Sequence, residues 1–256
     1  MGTDYTSKNR AVEGALRQKG LFPSTSAPWQ QKVLDDLLAQ VRFRNDSVCL
    51  DAACGIGNNI ETLIKYFQKI IAFDKSSRAI EFAKKRHRRY TPATVSFVAG
   101  DLESMLFNEN FFDCVVCTEA LEHVSDYDTV IQEIFRVTKS GGHVILSFQN
   151  HFNLSALLKF LFEKIYKTNW DVWGTHRHEE SYENYLTCFQ VKKSIRKTGF
   201  ILIKEFGADY LNAWFSWIPF LYRNYKVLNR YPLLFLGKIP LLKYLGMDYF
   251  LLLKKP

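Results

Sequence analysis

The chain is 256 residues long, within the range of one domain, and 47% of it is hydrophobic, enough to fill a sizeable core. Charged residues at 23% exclude a disordered chain, and 13 Gly with 7 Pro exclude collagen-like or low-complexity sequence. The 34 Lys and Arg against 26 Asp and Glu leave +8, which allows an acidic or membrane-surface partner without requiring one.

The N-terminal MGTDYTSKNR has no apolar stretch behind its charges and does not read as a signal peptide. Periodicity predicts a helix over 29–41, a short apolar run over 48–50 ending at Asp51, and a helix over 58–67. A second run, 70–73, ends at Asp74 and is followed by a helix over 77–88 with a basic outer face. A third run, 95–98, ends in Gly100-Asp101, and a fourth covers 112–116. A helix over 127–137, stopped by Ser140-Gly141-Gly142, leads to a fifth strand over 144–148. Short apolar runs alternating with helices mean βαβ units and a parallel sheet buried on both faces. Beyond them the pattern predicts helices over 154–167 and 181–197 and strands over 200–206 and 249–253. No apolar run reaches the ~18 residues of a membrane span.

Five cysteines are scattered through the chain. Cys49, Cys54, Cys114 and Cys117 fall in or beside apolar segments, as buried thiols of a reducing compartment do, so a cytoplasmic location is expected. Cys114-x-x-Cys117 has redox or zinc spacing, but it sits in an extended apolar run with no second pair and reads as strand.

The first strand runs into Asp51-Ala52-Ala53-Cys54-Gly55-Ile56-Gly57-Asn58. Glycines at a strand-to-helix turn let a ligand approach the backbone, and the helix start offers free N–H groups. As a dinucleotide fingerprint the segment fails, because Ile60 stands where the third glycine would be. An acid four positions before the first glycine suits a ligand with a cationic head. A carboxylate at the end of the second strand, Asp74, can take both ribose hydroxyls of a nucleoside laid across the strand ends. Asp101, ending the third, can accept from an exocyclic adenine amino group, with Leu102 beside the ring.

Over 47–149 this combination resembles the class I S-adenosylmethionine-dependent methyltransferases. DAACGIG matches their first motif, AFD the second, GDLE the adenine-site motif, FDCVVCTEALEHV the fourth strand and KSGGHVILS the fifth. The nearest group is the small-molecule one that includes ubiquinone-pathway O-methyltransferases. Ser140 departs from the proline the family often has there. The resemblance implies an α/β fold, a Rossmann-like seven-stranded, mostly parallel sheet with helices on both faces and a helical lid insert. It implies a single domain over 1–256, with a cofactor-binding core over 46–150 and acceptor-side inserts over 151–180 and 207–246. The implied cofactor is S-adenosylmethionine. Gly55 and Gly57 would pack against its methionine part, with Ala53, Cys54 and Asn58 in the same turn. Asp51 would act near its ammonium, Asp74 with Lys75 at the ribose, and Asp101 with Leu102 at the adenine. Thr118 and Glu119 would border the sulfonium and the acceptor.

On the acceptor side, Glu119, Glu122 and His123 are candidate bases, on one face if a helical turn begins there. The other reading makes 121–124 a structural turn with His123 packed on the cofactor. The Glu119-x-x-Glu122-His123 spacing also resembles the metal site of small-RNA 2′-O-methyltransferases, with His176 or His178 completing a Mg²⁺ or Zn²⁺ site. Trp170, Trp173 and His176 lie in a segment expected to cross the mouth of the site, His176 as a catalytic residue. Residues 210–256 hold 12 of the 39 aromatics, seven Lys or Arg and one acid. Short helices are expected over 211–245, as a lid bringing Trp214 and Trp217 near Glu119. Arg223, Lys226, Arg230, Lys238 and Lys243 would then form an outward rim for peripheral membrane contact. Basic residues interleaved with Leu and Ile argue against nucleic acid as a partner. The expected reaction is methyl transfer to a small apolar acceptor, O-methylation before N-methylation. A nucleic-acid or protein methyltransferase and a non-catalytic nucleoside-binding domain stay open, as does the oligomeric state.

Overall fold

Seven strands form one sheet in the order β3-β2-β1-β4-β5-β7-β6. They are β1 (Val48–Ala52), β2 (Lys69–Asp74), β3 (Val95–Ala99), β4 (Phe112–Thr118), β5 (Thr138–Gln149), β6 (Ile201–Ala208) and β7 (Asp248–Lys254). The computed structural model describes residues 28–153, 184–210 and 234–256. The first five strands are parallel, and β7 runs antiparallel between β5 and β6. The Rossmann-like seven-stranded, mostly parallel sheet is therefore present. The expected helices 154–167 and the aromatic segment 211–233 lie outside the described residues, and with them most of the expected lid.

Alternation along the strands makes the two cores. Leu50, Val115, Cys117, Val144 and Leu146 face one side, where α4 (Tyr127–Val137) and α5 (Cys188–Thr198) lay Ile131, Ile134, Val191 and Ile195 on them. Cys49, Cys114, Val116, Ile145 and Phe250 face the other, under Trp29, Leu34 and Leu37 of α1 (Pro28–Leu38). All five cysteines are buried, and Cys114 and Cys117 point to opposite faces of β4, as the strand reading expects. Each fully buried Leu, Ile or Val contributes about 1.5–3 kcal/mol, so the sheet is held on both sides.

The helix after β1 is shorter than periodicity suggests. Its α-helical part, α2, is Ile60–Leu63, and the chain then turns through Phe67. Its start is displaced because Gly55–Asn59 is an irregular loop with Gly55 at φ 52 and Gly57 at φ 81. Between β2 and β3, α3 (Ser77–Arg86) is capped by Ser76, whose hydroxyl accepts from the Ala79 N–H.

The glycines at 141 and 142 do a different job from the one expected. Helix α4 ends at Thr138, which turns extended and donates its hydroxyl to the Ile134 carbonyl at 2.6 Å. Pairing with β4 jumps from Phe112↔Thr138 to Cys114↔His143, so the glycines form a loop-out within β5. Gly142 has no room for a side chain: a Cβ would stand 2.8 Å from the Lys139 carbonyl oxygen.

Two 3-10 helices, Leu234–Lys238 and Leu242–Leu245, lie against β6, with Gly237 pressed on the Gly207 carbonyl. Lys243 faces inward, against the rim expected of it. Its ammonium meets Glu205 at 2.7 Å, and Glu205 also receives Lys192 at 2.6 Å and the Tyr249 hydroxyl at 2.7 Å. Burial alone would raise the Glu205 carboxyl, but these three donors together bring it down to about 2. Among the described residues no helix is long and apolar enough to cross a membrane.

Candidate active site

Strand order reverses between β1 and β4, and in open α/β sheets ligands bind outside the carboxyl ends of the strands at such a point. Here the face under α1 turns from apolar to polar. Asp51 follows Cys49 by two residues, Thr118 follows Val116, Ser147 follows Ile145, and Asp248 precedes Phe250. A cavity of about 20 Å³ opens among them, with Gln30, Gln31, Asn59, Thr118, Glu119 and Ser147 as its polar lining.

Backbone strain collects at the same edge. Ala53, Gly55, Gly57 and Glu119 all have positive φ, at 60, 52, 81 and 52. Non-glycine residues there cost about 1–3 kcal/mol and persist only where surrounding contacts hold them. The loop is held by the Cys54 N–H on the Phe73 carbonyl, the Gly57 N–H on the Cys54 carbonyl and the Gly55 N–H on Asp74 Oδ2 at 2.8 Å. Asp74 Oδ1 accepts from the Ser76 N–H at 2.8 Å. Asp74 thus binds the glycine loop as well as facing the strand edge.

Asp51 is fully buried. Burial pushes its carboxyl up to about 7, the Asn59 hydrogen bond opposes that, and the Asp74 charge adds to it. Oδ1 accepts from Asn59 Nδ2 at 2.9 Å, while among the described residues Oδ2 has no partner. A buried carboxylate oxygen without a donor is costly unless a ligand supplies one. Asp101 accepts from Lys75 at 2.7 Å and from the Glu103 N–H at 3.0 Å, and the Lys75 contact chiefly holds its carboxyl below the usual range. Leu102 is buried beside it. Asn58 turns outward to Arg86 at 2.7 Å, whereas its neighbour Asn59 turns in to Asp51 and Thr118. Cys54 is buried, and its thiol is pushed up by burial and by the Asp51 and Asp74 charges.

At the end of β4, Glu119 accepts from the Ser147 hydroxyl at 2.7 Å, and its own N–H reaches the Ser147 carbonyl at 3.0 Å. Burial first, then the Asp248 and Glu122 charges, raise its carboxyl well above the usual range. Asp248, 4% exposed, is raised to about 6 by burial, against a 2.9 Å hydrogen bond from Gln30. Glu119, Glu122 and His123 do not share a face. Leu121–His123 is a 3-10 helix in which Glu122 is buried and His123 exposed. Among the described residues no three His, Cys, Asp or Glu are placed to hold one metal ion. His176, His178, Trp170, Trp173, Trp214 and Trp217 lie outside the described residues.

Three strand-end carboxylates, a glycine loop with open space above Gly55 and an orphaned buried oxygen on Asp51 stand along one edge. Residues 50–146 match the family described as "Methyltransferase domain". These residues carry a methyltransferase domain of the class I S-adenosylmethionine-dependent kind. It is similar to the demethylmenaquinone methyltransferase of Lactococcus lactis, 27% identical over 60% of this chain and 66% of that one. It is also similar to the ubiquinone biosynthesis O-methyltransferase of Colwellia psychrerythraea, 33% identical over 53% of this chain and 54% of that one. The chain spans about half the length of curated relatives it matches. In fold it is like the geranyl diphosphate C-methyltransferase of Streptomyces coelicolor A3(2), with TM-score 0.61 and 13% identity over 88% of this chain and 77% of that one. S-adenosylmethionine is the cofactor this family implies. The residues present fit it: the unpaired Asp51 oxygen suits a cationic amino group, and the space above Gly55 leaves the backbone approachable.

Asp74→Ala in the methyltransferase domain should weaken S-adenosylhomocysteine binding by about 2–4 kcal/mol. It removes a charged acceptor worth about 1.5–3 kcal/mol and frees the Gly55 N–H as well. Calorimetry showing a loss under tenfold would reject Asp74 as a cofactor residue.

Sequence reasoning missed Asn59, Gln30, Gln31, Ser147 and Asp248. The one signal for Gln30 and Gln31 is that polar side chains open an otherwise apolar helix face beside Trp29. Nothing local marks Ser147 or Asp248.

Proposed function

We propose that the protein transfers a methyl group from S-adenosylmethionine to a small apolar acceptor, at oxygen before nitrogen. The observation that carries this reading is the buried Asp51 carboxylate with one oxygen unpaired, at the switch point and beside the glycine loop. The bound cofactor supplies an electrophilic methyl on a sulfonium. Asp51 would hold its ammonium, Asp74 its ribose hydroxyls, and Asp101 with Leu102 its adenine. Glu119, fixed by Ser147 and raised in proton affinity by burial, would take the proton that an acceptor hydroxyl gives up. Thr118, Gln30 and Gln31 line the space beside it and would orient the acceptor. The quinone-pathway names of the two relatives, the second an O-methyltransferase, support an acceptor of the quinone class. Peripheral membrane contact through 211–245 is part of this reading, supported by the aromatic and basic content there.

The test is incubation with methyl-labelled S-adenosylmethionine and a panel of catechols, hydroquinones and amines. Label in a phenolic ether supports the proposal. Label only in amines overturns the O-methyl preference. Tight nucleoside binding with no transfer to any acceptor class would favour a binding domain.

A further inference from the structure

We propose that Asn59 is a positioning residue for the amino-acid end of the cofactor, set in place by Gln31 and Thr62 through hydrogen bonds that all point toward Asp51. This inference rests on the cofactor reading given under Proposed function.

The chain of donors begins on α2. The Thr62 hydroxyl donates to Gln31 Oε1 at 2.7 Å. Gln31 Nε2 donates to Asn59 Oδ1 at 3.1 Å. Asn59 Nδ2 donates to Asp51 Oδ1 at 2.9 Å and to Thr118 Oγ1 at 3.0 Å. Every dipole is therefore aligned, and the last one ends on a carboxylate. An amide side chain has two chemically opposite ends, and its direction is set by its partners. Reversing Gln31 would turn its carbonyl toward the Asn59 carbonyl. Reversing Asn59 would set a carbonyl against the Asp51 carboxylate. The acceptor-only Asp51 carboxylate therefore fixes Asn59, the Asn59 carbonyl fixes Gln31, and the Thr62 hydroxyl, able to donate or accept, completes the chain by donating to Gln31.

Burial makes this alignment count. Asn59 and Thr62 are each 6% exposed and Asp51 is at zero. In such surroundings hydrogen bonds polarise one another, and a chain ending on an anion is strengthened most. Among the described residues the titratable groups facing Asp51 are Asp74 on β2, Cys49 on β1, Cys54 in the loop and Cys117 on β4. None of them favours a negative charge on Asp51. Asn59 is the group that opposes the upward push of burial, which leaves the carboxyl at about 7. It occupies Oδ1 and leaves Oδ2 for a cationic group. Gln31 belongs to α1, so the helix that covers this face of the sheet is wired to the Asp51 carboxylate without touching it.

The experiment titrates S-adenosylhomocysteine into the protein by calorimetry between about pH 5.5 and 7.5, below the range in which an α-amino group loses its charge. Wild-type affinity should fall as pH drops through the Asp51 midpoint, approaching tenfold per pH unit. Asn59→Leu should move that midpoint to higher pH and cut affinity near neutrality about tenfold for each pH unit it moves. Gln31→Met, which keeps volume and touches neither Asp51 nor the nucleoside site, should move the midpoint the same way by a smaller amount. If Asn59→Leu fails to fold, Gln31→Met alone decides. Equal losses at every pH, with the midpoint unmoved, would show packing roles only and overturn the relay. A wild-type protein that binds no S-adenosylhomocysteine overturns the cofactor reading and this inference together.

Discussion

Asp51→Asn should make the cofactor-free protein more stable and the cofactor complex weaker. The folded carboxyl sits at about 7 against a reference value of 3.8, chiefly because it is buried. A folded value above the unfolded one means that stability is fully present below the unfolded value and is lost as pH rises through the folded value. The cost at pH above about 7 comes to roughly 4 kcal/mol, because each tenfold change in proton affinity is worth about 1.4 kcal/mol. Asparagine removes that cost while still accepting from Asn59, although its NH2 group needs a partner. A net gain of about 1–3 kcal/mol is therefore expected at pH near 8, vanishing toward pH 4. Urea unfolding at the two pH values measures it. S-adenosylhomocysteine binding should fall by about 1.5–3 kcal/mol, the worth of a charged hydrogen bond, or roughly 10–150-fold. A variant that is less stable than wild type at pH near 8 would show that Asp51 is paired in solution and serves the fold.

The two loop glycines should separate folding from binding. A Cβ at Gly57 would stand 2.8 Å from the His87 ring, with φ already at +81. That ring is 3% exposed and packs near Tyr90 and Phe97, so it cannot step aside cheaply. Gly57→Val combines left-handed strain of about 1–3 kcal/mol with overpacking of about 1–3 kcal/mol. The expected total of roughly 2–6 kcal/mol lowers Tm by about 10 °C in a chain of this size. Among the described residues a Cβ at Gly55 meets nothing within 4 Å. Gly55→Val should therefore cost only the strain at φ +52, yet abolish calorimetric binding of S-adenosylhomocysteine, because its side chain stands in the open space above the loop. Equal Tm losses in the two variants, with binding retained at Gly55→Val, would remove the loop from the cofactor site.

The strand-end carboxylates were legible because alternation of short apolar runs and helices puts the end of every parallel strand on one edge. Asp51, Asp74 and Asp101 stand there for that reason alone. Asn59 was not legible, because its neighbour Asn58 is chemically identical and only the turn at Gly57 decides which of the two faces inward. Gln30 and Asp248 are 218 residues apart in the chain, and their 2.9 Å contact depends on β7 entering the sheet beside β5. A single sequence carries no trace of that pairing. The face shared by Glu119, Glu122 and His123 failed for a local reason. Three residues of 3-10 helix place successive side chains about 120° apart, so Glu122 turns in and His123 turns out.

The position of β7 has a consequence for how the protein is made. It is the later strand in the chain, yet it separates β5 from β6. On the ribosome β6 is finished at Ala208 while its neighbour is complete only at Lys254. At about 5–20 residues per second, β6 waits several seconds with no strand beside it. During that interval Ile201, Ile203 and Phe206 sit on an unpaired edge, and Glu205 lacks the Tyr249 hydroxyl. Nascent chains crowded on one message could meet through that edge or through the equally open edge of β5, which gives a chaperone reason to hold both strands until β7 arrives.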